Sequence, residues 1–386
     1  MDFTLDEEHQ MLKDMMAKFS DHELGPRAEA IDREDHIPES IWKQLGELGI
    51  MGINVPAEYG GAGMDVLSSV IAMEEMSRWS PAVSLSWLAH SILCVNNIFE
   101  HGTEEQRRRW MPKLCSGEWI GCMCLTEPGA GSDAVGITTT ARRDGDDYVL
   151  NGSKTFITNA PIAQVALVYT KTRKERGSRG LTAFIVDTAT PGFVVRRKLE
   201  KMGHRGSPTG ELAFEDLRVP KENLLGEENH GISVMMKGLD VERTVIAAGP
   251  VGLAQQGLDL SIKYALEREQ FGHKIASFQM IQAKVADMYT AIEGARLLVY
   301  KAAALAQSSA RGGKGTEIHK VSAAAVLYAA EMAEKVALDA IQIHGGYGYM
   351  LEYAVNRLLR DAKLYTIGAG TSEVRRMVVA RELLGK

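Results

Sequence analysis

Cys124-Leu125-Thr126-Glu127-Pro128-Gly129-Ala130-Gly131-Ser132-Asp133-Ala134-Val135-Gly136 is the stretch on which the reading of this chain turns. An alternating apolar run, Ile120, Cys122 and Cys124, stops abruptly at Thr126, Pro128, Gly129, Gly131, Ser132 and Asp133. The pattern predicts a strand that ends in a sharp turn, with main-chain N–H groups bared beside two hydroxyls. Glycine lets backbone approach a ligand closely, and clustered N–H groups suit a phosphate or the polar edge of a ring. Taken alone, the cluster reads equally well as an ordinary turn.

On the N-terminal side of this stretch the periodicity is helical. Apolar residues recur at spacings of three and four in Met11, Met15 and Phe19 and in Ile41, Leu45 and Leu48. Glu74, Glu75 and Arg78 are expected to form a solvated helix face. On the C-terminal side come short strand-like runs: Tyr148-Val149-Leu150, Val165 to Tyr169, Thr182 to Val186 and Phe193-Val194-Val195. Turn pairs such as Asn151-Gly152 and Pro191-Gly192 fall between them. From about residue 231 alanine-rich helical stretches return. The expectation is an α+β multidomain chain: a helical N-terminal domain over 1–120, a middle β-barrel or sandwich domain over 121–230, and a C-terminal helical-bundle domain over 231–386.

The 386 residues are 45% hydrophobic and 24% charged, an ordinary globular composition, with room for a large core. A net charge of -6 without a long basic run argues against nucleic-acid binding. No uninterrupted apolar run approaches the ~20 residues of a membrane span. The acidic start, Met1-Asp2-Phe3-Thr4-Leu5-Asp6, has no signal or transit pattern, so a cytoplasmic protein is expected, or a matrix protein if the chain is processed. Cys94, Cys115, Cys122 and Cys124 lack the spacing of a disulfide framework or a zinc site and read as small buried hydrophobes.

A second glycine cluster runs Gln342-Ile343-His344-Gly345-Gly346-Tyr347-Gly348-Tyr349. The two clusters, set in a helical–β–helical order, resemble the paired signatures of the acyl-CoA dehydrogenase family. Asn151-Gly152-Ser153-Lys154 before Phe156-Ile157-Thr158, Arg268-Glu269-Gln270-Phe271-Gly272, and Tyr365 to Glu373 extend the resemblance over the whole chain. The resemblance implies the acyl-CoA dehydrogenase fold, FAD, and oxidation of the Cα–Cβ bond of an acyl-CoA thioester. It places Met123, Cys124, Leu125, Thr126 and Ser132 along the flavin, Ser132 also touching substrate, and Phe156, Ile157 and Thr158 behind it. Arg268, Gln279, Gln342, Ile343, His344, Gly345 and Gly346 would hold the pyrophosphate and adenosine of FAD bound to a neighbouring subunit. Thr371, Ser372 and Glu373 would complete the FAD site. Sharing of that kind implies a homotetramer, a dimer of dimers, and electron-transfer flavoprotein is the implied acceptor. His344 carries no chemical role of its own.

The chemistry needs a carboxylate that removes the α-proton, and burial raises a carboxyl pKa toward a useful basicity. Most relatives carry this base as Glu immediately before the Gly-Thr pair of the C-terminal motif. Here that position is Ala369, whose backbone N–H still suits the thioester oxygen. The isovaleryl-CoA subgroup places its acid in a Leu-Asp-x-Glu-Arg segment, and this chain reads Leu239-Asp240-Val241-Glu242-Arg243. Glu242 is thereby implied as the base, with Glu373 the runner-up and with Asp240 and Arg243 positioning helix or substrate. Gly368 leaves space for a branched acyl group beside Ala369 and Gly370. Ser178 and Arg179 match a substrate-contacting loop. Ser233 stands where the subgroup carries Tyr, which opens the pocket toward a longer branched or cyclic acyl group. A straight-chain substrate, or an oxidase or monooxygenase reaction on the same fold, is the alternative.

Overall fold

The computed structural model describes residues 4–308 and 315–385. Helices from Glu7–Phe19 to Glu104–Cys115 come first. Their starts follow local chemistry. Asp6 accepts from the His9 N–H, Asp65 from the Ser68 N–H, and Thr103 forms a reciprocal capping box with Gln106. Val66–Trp79 is buried on nearly every side, packed by Glu7–Phe19 and by the later helices Ala248–Glu267 and Gln279–Ser308. The expected solvated face is therefore wrong. Glu74 and Glu75 are only 4% exposed, because bundle helices cover that side of the helix. Their charges are met from those helices and from their own: Arg296 Nε reaches Glu74 at 2.8 Å, and Arg78 lies 3.5 Å from Glu75.

The segment Pro81–His101 is long and apolar enough to cross a membrane, yet 83% of its most apolar window is buried inside the fold. Within it Ala89–Asn96 widens into a π-helix, an uncommon geometry that often accompanies functional sites.

The middle segment is one eight-stranded sheet: β1 (Gly121–Cys124), β2 (Thr140–Asp144), β3 (Asp147–Thr158), β4 (Val165–Lys171), β5 (Leu181–Asp187), β6 (Phe193–Lys198), β7 (Thr209–Pro220) and β8 (Leu224–Leu225). The order is β6-β7-β3-β2-β4-β5-β8, with β1 parallel to β4. Alternation along β4 sends Val165, Leu167 and Tyr169 toward the helices and Ala166 and Val168 into a core made by the sheet's other face. Cys122 and Cys124 follow the second set, and all four cysteines are free and buried.

Gly231–Ile246, Ala248–Glu267, Gln279–Ser308 and Glu317–His344 build the C-terminal bundle, followed by Ala354–Tyr365 and Ser372–Leu384. The close crossing of Ala248–Glu267 over Val66–Trp79 requires Gly252, where an added Cβ would lie 1.9 Å from the Glu74 carbonyl. Helical residues from both ends of the sequence thus share one core.

Candidate active site

β1 ends as predicted in a tight turn. Glu127 and Ala130 exchange backbone hydrogen bonds at 3.1 and 3.0 Å, and Gly129 and Gly131 face open space. Ser132 is exposed and Thr126 and Met123 are half-buried, whereas the Cys124 and Leu125 side chains are buried, so only their main chain can border a ligand. A feature absent from the sequence reading holds this turn. Lys154 Nζ, fully buried on β3, donates to the Leu125 carbonyl at 2.8 Å and to Glu127 Oε1 at 2.9 Å. Glu127 also accepts from Thr138 N at 2.6 Å, Thr138 Oγ1 at 2.8 Å and Thr139 N at 2.9 Å. Burial alone would raise its pKa, but Lys154 and these donors outweigh burial and hold it at about 2. His90, in the π-helical segment, accepts from the Gly121 N–H through Nδ1 at 2.8 Å and sits 3.1 Å from the Leu114 carbonyl through Nε2.

The same clamp fixes the second predicted wall. β3 breaks its register with β7 between Lys154 and Ile157, and Phe156 bulges out at φ +60°, 69% exposed. A left-handed Phe is a strained conformation, and an exposed aromatic face costs hydrophobic burial. Ile157 turns into the core and Thr158 is half-buried. Thr155 N donates to the Thr126 carbonyl at 3.0 Å, so the turn and this wall are neighbours. Bared backbone beside an exposed aromatic side chain fits a planar ring with a polar edge, as a flavin presents.

Glu242 lies in Gly231–Ile246, buried at 6% exposure. Burial pushes its pKa up to about 7, against the pull of Arg243 and Arg375. Its Oε2 has no hydrogen-bond partner, and no ion pair to it forms among the described residues. Arg375, also unforeseen, is 1% exposed and clamps the 366–371 loop by donating to the Tyr365 carbonyl at 2.6 Å and to the Gly368 carbonyl. Ala369 and Gly370 follow in left-handed conformations, φ +53° and +87°. Among the described residues the Ala369 N–H meets no acceptor. Thr371 caps the last helix by accepting from Val374 N, Ser372 is buried, and Glu373 is exposed. A Cβ added at Gly368 would meet only Leu364, at 3.5 Å and beyond, which is ordinary van der Waals contact.

Other predicted residues lie elsewhere. Ser233 is exposed nine residues before Glu242, roughly 14 Å along the helix. Arg179 is exposed, and the Ser178 side chain lies outside the described residues. Asp240 and Arg243 are buried and engaged with each other at 3.1 Å.

The second glycine cluster forms a separate cleft of about 460 Å³ with Arg268, Tyr264 and Tyr347. The Arg268 guanidinium stacks over Tyr347 at 5.6 Å, Tyr264 stacks on His344 at 4.4 Å, and Gly345 and Gly346 leave their backbone open. Among the described residues the His344 ring makes one hydrogen bond, donated by Nδ1 to the Ala340 carbonyl at 2.8 Å, in keeping with a packing role. Gln279 and Gln342 are exposed and do not line this cleft. An arginine beside open glycine backbone suits a diphosphate. None of residues 123–132 lines it, so a single chain does not join the two halves there.

Family models described as the acyl-CoA dehydrogenase N-terminal, middle and C-terminal domains match residues 6–118, 122–217 and 229–384. The chain belongs to the acyl-CoA dehydrogenase family, whose members are oxidoreductases and carry FAD as a family trait. It is 49% identical over 381 residues to the mitochondrial isovaleryl-CoA dehydrogenase of Pongo abelii, covering 98% of this chain and 89% of that one. Among solved structures, butyryl-CoA dehydrogenase from Megasphaera elsdenii superposes with a TM-score of 0.95 at 40% identity, covering all of both chains. A chain in a structure described as the electron transferring flavoprotein of Acidaminococcus fermentans superposes at 0.96 with 43% identity, again over all of both chains.

Proposed function

We propose that this protein oxidises the Cα–Cβ bond of a branched or bulky acyl-CoA thioester to the 2-enoyl-CoA, with Glu242 removing the α-proton. The observation that carries the proposal is Glu242 itself: a buried carboxylate, unpaired, with its pKa raised to about 7, in a chain whose 369 position is alanine. A desolvated base of this kind is matched to a weakly acidic carbon near neutral pH. The free Ala369 N–H is a donor for the thioester oxygen, which steadies the developing enolate. Arg375 fixes that donor by holding the Gly368 carbonyl. FAD, when bound, supplies the acceptor for the hydride that leaves Cβ. Met123 to Thr126, Ser132, Phe156 to Thr158 and Thr371 to Glu373 would hold its ring side. Arg268, Gln279 and Gln342 to Gly346 of a neighbouring copy would hold its diphosphate and adenosine.

A homotetramer is supported by large apolar side chains left exposed around the bundle, among them Leu266, Phe271, Met280, Tyr289, Leu297 and Leu338. Electron-transfer flavoprotein as acceptor is supported by the described context of the Acidaminococcus chain. The branched-chain preference is supported by the space at Gly368 and by likeness to isovaleryl-CoA dehydrogenase.

Glu242→Gln tests the base. A yellow, folded protein with turnover reduced roughly 10²–10⁴-fold is expected. Near-wild-type turnover in that variant sinks the assignment. Anaerobic titration with isovaleryl-, isobutyryl-, octanoyl- and a cyclic acyl-CoA, followed by flavin bleaching, tests the substrate class. Clear preference for octanoyl-CoA overturns it.

A further inference from the structure

Glu242 has two arginines within electrostatic reach and pairs with neither. On the C-terminal helix, Arg375 spends its terminal nitrogens on the Tyr365 and Gly368 carbonyls. Arg243 is the immediate neighbour of Glu242 in the chain. Consecutive helical residues point about 100° apart, but an arginine stem is long and takes the direction its partner gives it. That partner is Asp240, three residues back and so on the Arg243 face. Asp240 Oδ1 accepts from Arg243 Nη1 at 3.1 Å and from His319 Nδ1 at 2.8 Å. His319 comes from Glu317–His344, so the arrangement is braced by a second helix. All three side chains are buried, at 2%, 9% and 6% exposure for Asp240, Arg243 and His319. Among the described residues the other titratable group coupled to Glu242 is Tyr169 on β4, whose phenol is raised first by burial, then by Cys94 and Glu242.

We infer that Asp240 is a positioning residue for the base: with His319 it holds the Arg243 guanidinium on the far face of the helix and keeps Glu242 unpaired. The inference rests on the reading of Glu242 as the base. A guanidinium that swung to Glu242 would favour its ionised form and lower a carboxyl pKa by about 1–3 units, giving a weaker base. Asp240 thus acts as a decoy carboxylate, and its use is electrostatic as well as structural.

The test is the pH dependence of kcat/KM for the FAD-loaded Asp240→Asn enzyme with its best acyl-CoA. Asparagine keeps the shape and the Oδ1 acceptor that Arg243 and His319 share, but removes the negative charge that holds the cation. The acid limb is expected to move down by at least about one unit, and kcat on the alkaline plateau to fall about tenfold. Adding Arg243→Met to Asp240→Asn should return the limb to the wild-type position or above it. His319→Gln, which loosens the same arginine more gently, should move the limb in the same direction by less, and it serves if Asp240→Asn does not fold. Flavin content and absorbance of each variant verify folding. An unmoved limb in a fully flavinylated Asp240→Asn or His319→Gln enzyme overturns the inference. Active Glu242→Gln instead overturns the underlying base assignment, so the two failures are distinct.

Discussion

Replacing Lys154 by Met keeps the buried aliphatic length and deletes the charge that joins the glycine turn after β1 to the Phe156 segment of β3. The variant loses charge-assisted bonds to the Leu125 carbonyl and to Glu127. Breaking a buried ion pair from one side costs about 3–5 kcal/mol, because the partner charge is left stranded. Glu127 retains three donors from residues 138 and 139, which places the cost toward the lower end, about 3 kcal/mol. That is roughly a hundredfold change in the unfolding equilibrium. Urea unfolding of the holoenzyme, at fixed protein and FAD concentration, measures it. The pH dependence carries the sharper signature. Glu127 has a folded pKa of about 2, below its ordinary value of 4.5. Its stabilising contribution is present above 4.5 and is lost as pH falls through 2. Without Lys154 the desolvated carboxyl rises and binds its proton earlier, so the gap between wild type and variant narrows from pH 7 toward pH 4. A gap below about 1 kcal/mol at pH 7, or one that stays constant with pH, refutes the clamp.

Phe156→Gly should relieve left-handed strain of about 1 kcal/mol in FAD-free protein and yet weaken FAD binding, seen as a higher melting temperature without FAD and a larger dissociation constant with it. Gly368→Leu should change the melting temperature little, since an added Cβ makes only ordinary contact with Leu364, while lowering kcat/KM for isovaleryl-CoA far more than for a straight-chain acyl-CoA. In the wild type, kcat/KM should fall as pH drops through about 7, because the base must be ionised to accept a proton. A flat profile from pH 8 to 6 contradicts the raised Glu242.

Element types were legible wherever a pattern ran unbroken, as in the continuous apolar run of β4, buried on both faces, or the three-and-four spacing around Met11 and Ile41. The fold-deciding turn was legible because strand chemistry gives way to glycine and proline within a few residues. Glu74 and Glu75 misled because charge is a local property and burial is a global one: their helix is covered by residues from positions 248 to 308. Lys154 was visible in a quoted motif, but its role required the β3 bulge that turns it inward while Phe156 turns out. Arg375 and His319 gave no local signal at all. Each acts on atoms brought near by helix packing, and only the spacing of Asp240 and Arg243, three apart on one helix face, hinted that they would meet.

The imidazole of His90 makes the first strand conditional on acidity. Its Nδ1 must be unprotonated to accept the Gly121 N–H, and burial lowers its pKa to about 4, from 6.5. That depression means roughly 3 kcal/mol of folding free energy that is present above pH 6.5 and disappears as pH falls through 4. The loss is focused at one point, the start of the strand that leads into the glycine turn. Acid approaching pH 4 should therefore loosen the start of β1, where this hydrogen bond sits, and lower the stability of the sheet that carries the glycine turn.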